Sequence, residues 1–280
     1  MRFPNFHNAI QSAETLLMHK GVEVNPGRWQ GISTEGRPDL GTIEVLNYTA
    51  VVPVYRGPFH NPRTLEGSLE YQLSKLQSEI EPNLPWADDH FVERVSRVPS
   101  NPGEEYKNWP WWSGSGTQVE TALNATGVKF THTYQERFWP KVAHWHIGGQ
   151  PQGIHYDYGD LDDVVNHLVA EPFSRQATFP IFFPEDTGAV HGGRIPCTLH
   201  YHFLLRNQEL HMWYAIRSCD FVRHFRDDLY LACRLLIWVL DECRSRESFW
   251  ENVRPGNLYF TAYSLHIHKG DIHHVKTLRA

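Results

Sequence analysis

The sequence predicts an α+β layered fold, with strands and helices interspersed along one continuous domain. Three observations carry this. Runs of β-branched residues recur between residues 42 and 268, helical apolar spacing recurs among them, and no clear linker divides the chain.

Residues 42–54, Thr-Ile-Glu-Val-Leu-Asn-Tyr-Thr-Ala-Val-Val-Pro-Val, read as the first strand. Residues 64–80 read as a helix, with Leu65, Leu69, Leu73 and Leu76 at helical spacing. Residues 82–118 hold much Pro, Trp, Gly and Ser and read as a long irregular insert. A helix follows at 160–170, then strands at 176–183, 198–205 and 210–217. From Asp228 to about Glu242 the apolar spacing predicts a mostly buried helix, and 257–268 is the last strand.

Composition narrows the function. Hydrophobic residues make up 41% of the chain and aromatics 13%, enough for a substantial core. The net charge of −6 argues against a nucleic-acid polymer as partner, although a mononucleotide needs only a few local cations. No apolar run approaches the roughly 20 residues that span a bilayer. The four cysteines, Cys197, Cys219, Cys233 and Cys243, lack CxxC spacing and read as reduced thiols. With an N-terminus that lacks a secretory apolar stretch, they give a cytoplasmic expectation.

The most informative stretch runs from Cys197 to Ser218. Leu199, Tyr201, Phe203 and Leu205 alternate, as do Leu210, Met212, Tyr214 and Ile216, around a polar turn at Arg206–Glu209. This is a hairpin pattern. A turn centred on Asn207-Gln208 sets Cys197 beside Arg217 and Ser218. A cation lowers the pKa of a neighbouring thiol, and Arg binds phosphate bidentately. One end of the hairpin then offers a nucleophile at fixed range from a phosphate anchor.

These residues resemble the thymidylate synthase superfamily. The resemblance rests on Pro196-Cys197, Arg217-Ser218-Cys219-Asp220, Glu171-Pro-Phe-Ser174-Arg175, Ser264-Leu265-His266-Ile-His268 and Tyr134-Gln-Glu-Arg-Phe-Trp139, and covers about residues 125–275. Within it, Thr198 after the cysteine and the segment Arg217–Asp228 are most similar to deoxycytidylate and CMP 5-hydroxymethylases, the latter from nucleoside-antibiotic pathways. The resemblance implies a mixed sheet packed by helices, a sheet-mediated homodimer, and methylenetetrahydrofolate as co-substrate. Cys197 would add to a CMP or dCMP ring, and water would complete a hydroxymethyl group. Methylation of dUMP is the neighbouring alternative.

The resemblance also implies roles. Arg217, Ser218 and Arg175 would hold phosphate, Arg175 reaching in from the partner subunit. Arg37 would join them, with Arg28 as alternative. Gln176 stands where the family has a second arginine. Asp220 would meet the base, and His266 and His268 the sugar, His268 replacing the family's tyrosine. Trp109, Trp112 and Tyr134 would meet the folate, and Glu70, with Glu66 as alternative, would manage protons. Asp228 stands at the family's base-reading asparagine. A carboxylate there accepts from the 4-amino group of cytosine, and a protonated carboxyl donates to N3. The same Asp228 suits a helix N-cap.

No metal is assigned in this reading. Two rivals use other features. His144-Trp-His146, His200-Tyr-His202 and His266-Ile-His268 project to one strand face each, and with a nearby carboxylate such a pair could chelate a metal in a cupin-like enzyme. A binding protein that kept the fold and lost the chemistry is the other.

Overall fold

The protein is described here by a computed structural model covering residues 1–29, 32–55, 69–111, 130, 132–146, 159–187 and 195–277. Helix α1 (Phe6–Lys20) precedes β1 (Val22–Val24), a small β2–β3 ribbon (Arg28–Trp29 and Ile32–Ser33) and the long strand β4 (Thr42–Pro53). Helices α2 (Leu69–Ile80) and α3 (Trp86–Val95) follow, and further helices span Tyr134–Phe138, Pro140–His146 and Leu161–Ala170. Strands β5 (Thr178–Pro180), β6 (Thr198–Arg206) and β7 (Glu209–Asp220) lead into a long helix, Phe225–Arg246. Strand β8 (Arg254–His268) and a short helix, Ile272–Thr277, end the described chain.

The main sheet has six strands in the order β1-β4-β8-β7-β6-β5. All neighbours are antiparallel except β7 and β8, so the sheet is mixed, as expected. The hairpin β6–β7 turns at Asn207-Gln208, both at positive φ (51° and 59°). That conformation matches the right-handed strand twist.

One sheet face is packed by helices. Phe203, Leu205, Leu210, Met212, Tyr214, Leu258 and Phe260 are buried there, together with Phe225, Leu229, Tyr230, Leu236 and Leu240 of the long helix. Each large apolar side chain so buried contributes about 1.5–3 kcal/mol. The other face carries a ladder of His202, Trp213 and Tyr259, with the last two rings stacked at 4.1 Å.

Three sequence expectations change. The stretch 82–118, read as irregular, contains α3 within its described part. Its prolines flank the helix, Pro82 and Pro85 before it and Pro99, Pro102 and Pro110 after it, and Trp86, Ala87 and Phe91 bury one face. Asp228 is not an N-cap, because the long helix begins at Phe225 and His224 takes that position. Leu199 leaves the inward face of β6, because a bulge between Thr198 and His200 shifts the register. Thr198, at 1% exposure, takes the inward place instead. Residues 64–68 of the expected helix lie outside the described residues.

A buried ion pair fixes the segment before the site. Arg137 donates from two nitrogens to Asp186 at 2.7 and 3.0 Å, with the side chains 5% and 2% exposed. The helix holding Arg137 starts with a capping box: Thr133 Oγ1 accepts from the Glu136 N–H, and the Thr133 N–H donates to Glu136 Oε2.

Candidate active site

Alternation along three strands builds one wall of a cavity of about 570 Å³. Thr42 and Glu44 of β4, Ser218 and Asp220 of β7, and Ser264, His266 and His268 of β8 all line it. Each set is spaced by two and so shares a sheet face. Register aligns them: Ser218 pairs with Ser264, Asp220 with His266, and His266 with Glu44.

Cys197 lies just before β6 at the cavity margin, half-buried. The Arg217 N–H donates to its carbonyl at 2.8 Å, the pairing expected from the hairpin. The Arg217 guanidinium donates to Pro196 O at 2.9 Å and Ile195 O at 3.0 Å. These bonds engage two of the five guanidinium N–H groups and hold the segment that leads into the thiol. The other three N–H donors are not used by them.

Thr198 ties the thiol's neighbour to the cavity floor. Its hydroxyl lies 3.2 Å from Tyr134 OH and 3.1 Å from Tyr214 OH. Arg94 covers the Tyr134 ring with its guanidinium carbon 4.1 Å from the centroid. Asp228 lies nearby on the long helix and accepts from Cys219 Sγ at 3.5 Å. Burial pushes the Asp228 carboxyl up to about 7, and the Arg94 charge opposes that rise. Burial also holds Cys219 well above the ordinary thiol range, whereas Cys197 is the cysteine on the cavity wall. Asp227, one residue earlier, is engaged elsewhere and accepts two hydrogen bonds from Asn83 at 2.8 Å.

The opposite wall is aromatic. Trp86 stacks on His90 at 4.8 Å, and Trp109 stacks on His224 at 4.6 Å. Arg94 Nε donates to His90 Nε2 at 2.9 Å, so the His90 proton sits on Nδ1. Burial holds His90 well below its ordinary pKa, in keeping with that neutral form. His90 Nδ1 and Trp109 Nε1 are then two buried donors with no partner among the described residues.

The cavity gathers Cys197, Arg217, Ser218, Asp220, Asp228, His266, His268, Trp109 and Tyr134 from the sequence reading. It also takes Arg28, the alternative cation, while Arg37 is exposed and paired with Asp39 at 2.8 Å. Arg175 is exposed on the loop after helix Leu161–Ala170 and does not line the cavity. Glu70 is exposed on α2 and likewise does not line it. Glu66 and Trp112 lie outside the described residues.

Of the three His pairs, only His266 and His268 reach the cavity among the described side chains. His202 instead meets Thr178 on the outer sheet face at 2.7 Å. The side chains of His144 and His146 lie outside the described residues.

Sequence reasoning missed Trp86, His90, Glu93 and Arg94, all on α3 and all lining the cavity. Their spacing of four, seven and eight from Trp86 marks one helical face, a signal hidden by the Pro- and Trp-rich composition around it.

No family model matches the chain. It is 27% identical over 142 residues to a protein of Methanosarcina barkeri named "Putative thymidylate synthase", covering 51% of this chain and 55% of that one. A protein of the same name from Methanosarcina mazei is 26% identical over 142 residues, with the same coverage. The chain thus spans about half the length of these curated relatives. The similarity supports the thymidylate synthase superfamily, and the mixed six-stranded sheet packed by helices is compatible with that fold.

Proposed function

We propose that this protein transfers a one-carbon unit to C5 of a pyrimidine nucleotide, with CMP or dCMP as substrate and a hydroxymethyl group as product. The observation that carries the reading is one cavity holding a thiol, a guanidinium and a carboxyl that can be neutral near pH 7: Cys197, Arg217 and Asp228.

In this reading the Arg217 guanidinium and the Ser218 hydroxyl hold the phosphate, with Arg28 as the further cation on the cavity wall. The Cys197 thiolate adds to C6, which turns C5 into a nucleophile. Asp228 reads the base. As a neutral acid it donates to cytosine N3 and accepts from the 4-amino group, and its position near pH 7 makes that form accessible. His266 and His268 face the sugar, and Asp220 the base.

Methylenetetrahydrofolate would supply the carbon. The aromatic wall fits a planar heterocycle, since Trp86, His90 and Trp109 line it with ring surface. After C5 takes the methylene and loses its proton, the carbon–nitrogen bond to the folate breaks and tetrahydrofolate leaves as the amine, water adds to the exocyclic methylene so formed, and the Cys197 sulfur leaves C6. With Glu70 exposed, the carboxylates positioned to move protons are Glu44, Glu93 and Asp220 on the cavity wall.

A second reading, methylation of dUMP, is favoured by the name that the two Methanosarcina relatives carry. By resemblance the protein works as a homodimer through its sheet, with Arg175 completing the partner's phosphate site, and the cysteines, read as reduced thiols, favour the cytoplasm. No described helix is long and apolar enough to cross a membrane.

The test is incubation with methylenetetrahydrofolate and, separately, CMP, dCMP, UMP and dUMP, with product masses recorded. A gain of CH2O on a cytidylate supports the proposal, a gain of CH2 on dUMP supports the second reading, and no product with any of the four rejects both.

A further inference from the structure

The parallel pairing of β7 and β8 sets Asp220 opposite His266, and strand alternation adds His268 on the same face. Asp220, His266 and His268 each present a ligand atom, and these atoms lie within 4.8 Å of one another. This is the carboxylate that the HxH pair lacks in the sequence.

His268 is oriented as a metal ligand would be. Its Nδ1 donates to Leu40 O at 3.2 Å, because a carbonyl can only accept. Such a bond from the far ring nitrogen to a backbone carbonyl fixes the tautomer and aims the other lone pair. That other atom, Nε2, is buried with the residue 2% exposed, and it has no hydrogen-bond partner among the described residues. It stands 3.8 Å from Asp220 Oδ2. Two acceptors face each other there, an arrangement relieved by a cation between them. Trp29 holds the His268 ring edge-on at 5.2 Å.

Asp220 is equally fixed. Its Oδ1 accepts from the N–H groups of Val222 at 3.0 Å and Arg223 at 3.1 Å, which leaves Oδ2 turned towards His268. Arg223 Nε also lies 3.8 Å from Oδ2, but its guanidinium is directed to Asp271 at 2.8 and 3.3 Å. His266 is half-buried and faces the cavity between Asp220 and Glu44, its partners in the sheet register.

We propose that Asp220, His266 and His268 form a binding site for a divalent transition-metal ion with two imidazole ligands, one carboxylate ligand and an open side facing the cavity. Ligand atoms about 2.0–2.2 Å from zinc lie roughly 3.4 Å apart, so separations of up to 4.8 Å close with relative movements of about an ångström. A donor set of two histidines and one carboxylate suits zinc or ferrous iron rather than magnesium or calcium. The site stands whether or not a nucleotide is the substrate. With the ion bound, a sugar hydroxyl facing this wall would meet the open side of the ion in place of the imidazole nitrogens.

The test is calorimetric titration of chelator-treated full-length protein with zinc chloride, repeated with cobalt(II) and read by visible absorption. The wild type should bind one equivalent of zinc, with cobalt giving ligand-field bands. Asp220→Asn and His268→Gln should each weaken binding by about tenfold or more. Thermal melts establish that each variant folds. Asp220→Asn keeps an oxygen for the turn and carries the test if His268→Gln does not fold. Absence of a saturable one-equivalent site overturns the proposal. So does unchanged zinc affinity in a folded variant, which would mark adventitious binding by other histidines.

Discussion

The main-chain N–H of Arg217 donates to the carbonyl of Cys197 at 2.8 Å, while the guanidinium of the same arginine donates to the two carbonyls just before that cysteine. One residue thus closes the hairpin and holds the approach to the thiol. Its remaining donors are available to an anion.

Cys197→Ser tests the thiol directly. In the proposed reaction it lowers turnover by about three orders of magnitude or more, since serine is a poor nucleophile at neutral pH. Nucleotide affinity, measured by calorimetry, should change little. Retained turnover would end the covalent mechanism.

Arg217→Lys keeps a charge but loses the planar fork. Charge-assisted hydrogen bonds are worth about 1.5–3 kcal/mol each, so nucleotide affinity should fall roughly tenfold to a hundredfold. Direct binding measurements with CMP and with cytidine separate the phosphate contribution. An equal loss for both ligands would contradict a phosphate role.

Asp228→Asn changes the hydrogen-bonding edge offered to the base. Discrimination between CMP and UMP, read as a ratio of kcat/KM, should move towards UMP by about tenfold or more. An unchanged ratio would remove Asp228 from base reading.

Asp228 also sets a pH dependence of stability. Its folded-state pKa of about 7 lies above the ordinary aspartate value of 3.8, so the folded protein binds the proton more tightly than the unfolded chain. This contribution is present below pH 3.8 and is lost as pH rises to about 7. Urea unfolding at acidic and neutral pH should show it as a loss on the order of a few kcal/mol. Asp160, raised to about 6 by burial, contributes in the same direction. The difference between wild type and Asp228→Asn isolates the Asp228 share, and identical slopes would refute it.

Arg137→Ala leaves Asp186 as an uncompensated buried carboxylate. Destabilisation of about 3–5 kcal/mol is expected from urea unfolding. Because this pair anchors the segment bearing Tyr134, a loss under 1 kcal/mol (about the worth of an exposed pair) would show that the segment is held by other contacts.

Local patterning determined much of this protein. Alternating apolar residues made the hairpin legible, and a polar turn at Asn207-Gln208 gave its register, so the meeting of Cys197 with Arg217 could be read from the chain. The HxH spacing likewise put His266 and His268 on one face. Tertiary structure decided the rest. A bulge, invisible to a simple period of two, exchanged Leu199 for Thr198 on the inward face. The folding of α3 against the long helix brought Arg94 and His90 to the cavity. Parallel pairing of β7 with β8, across a connection that includes the long helix, set Asp220 beside His266. Periodicity reports which face a residue occupies, whereas the partner it meets there depends on pairing between segments far apart in the chain.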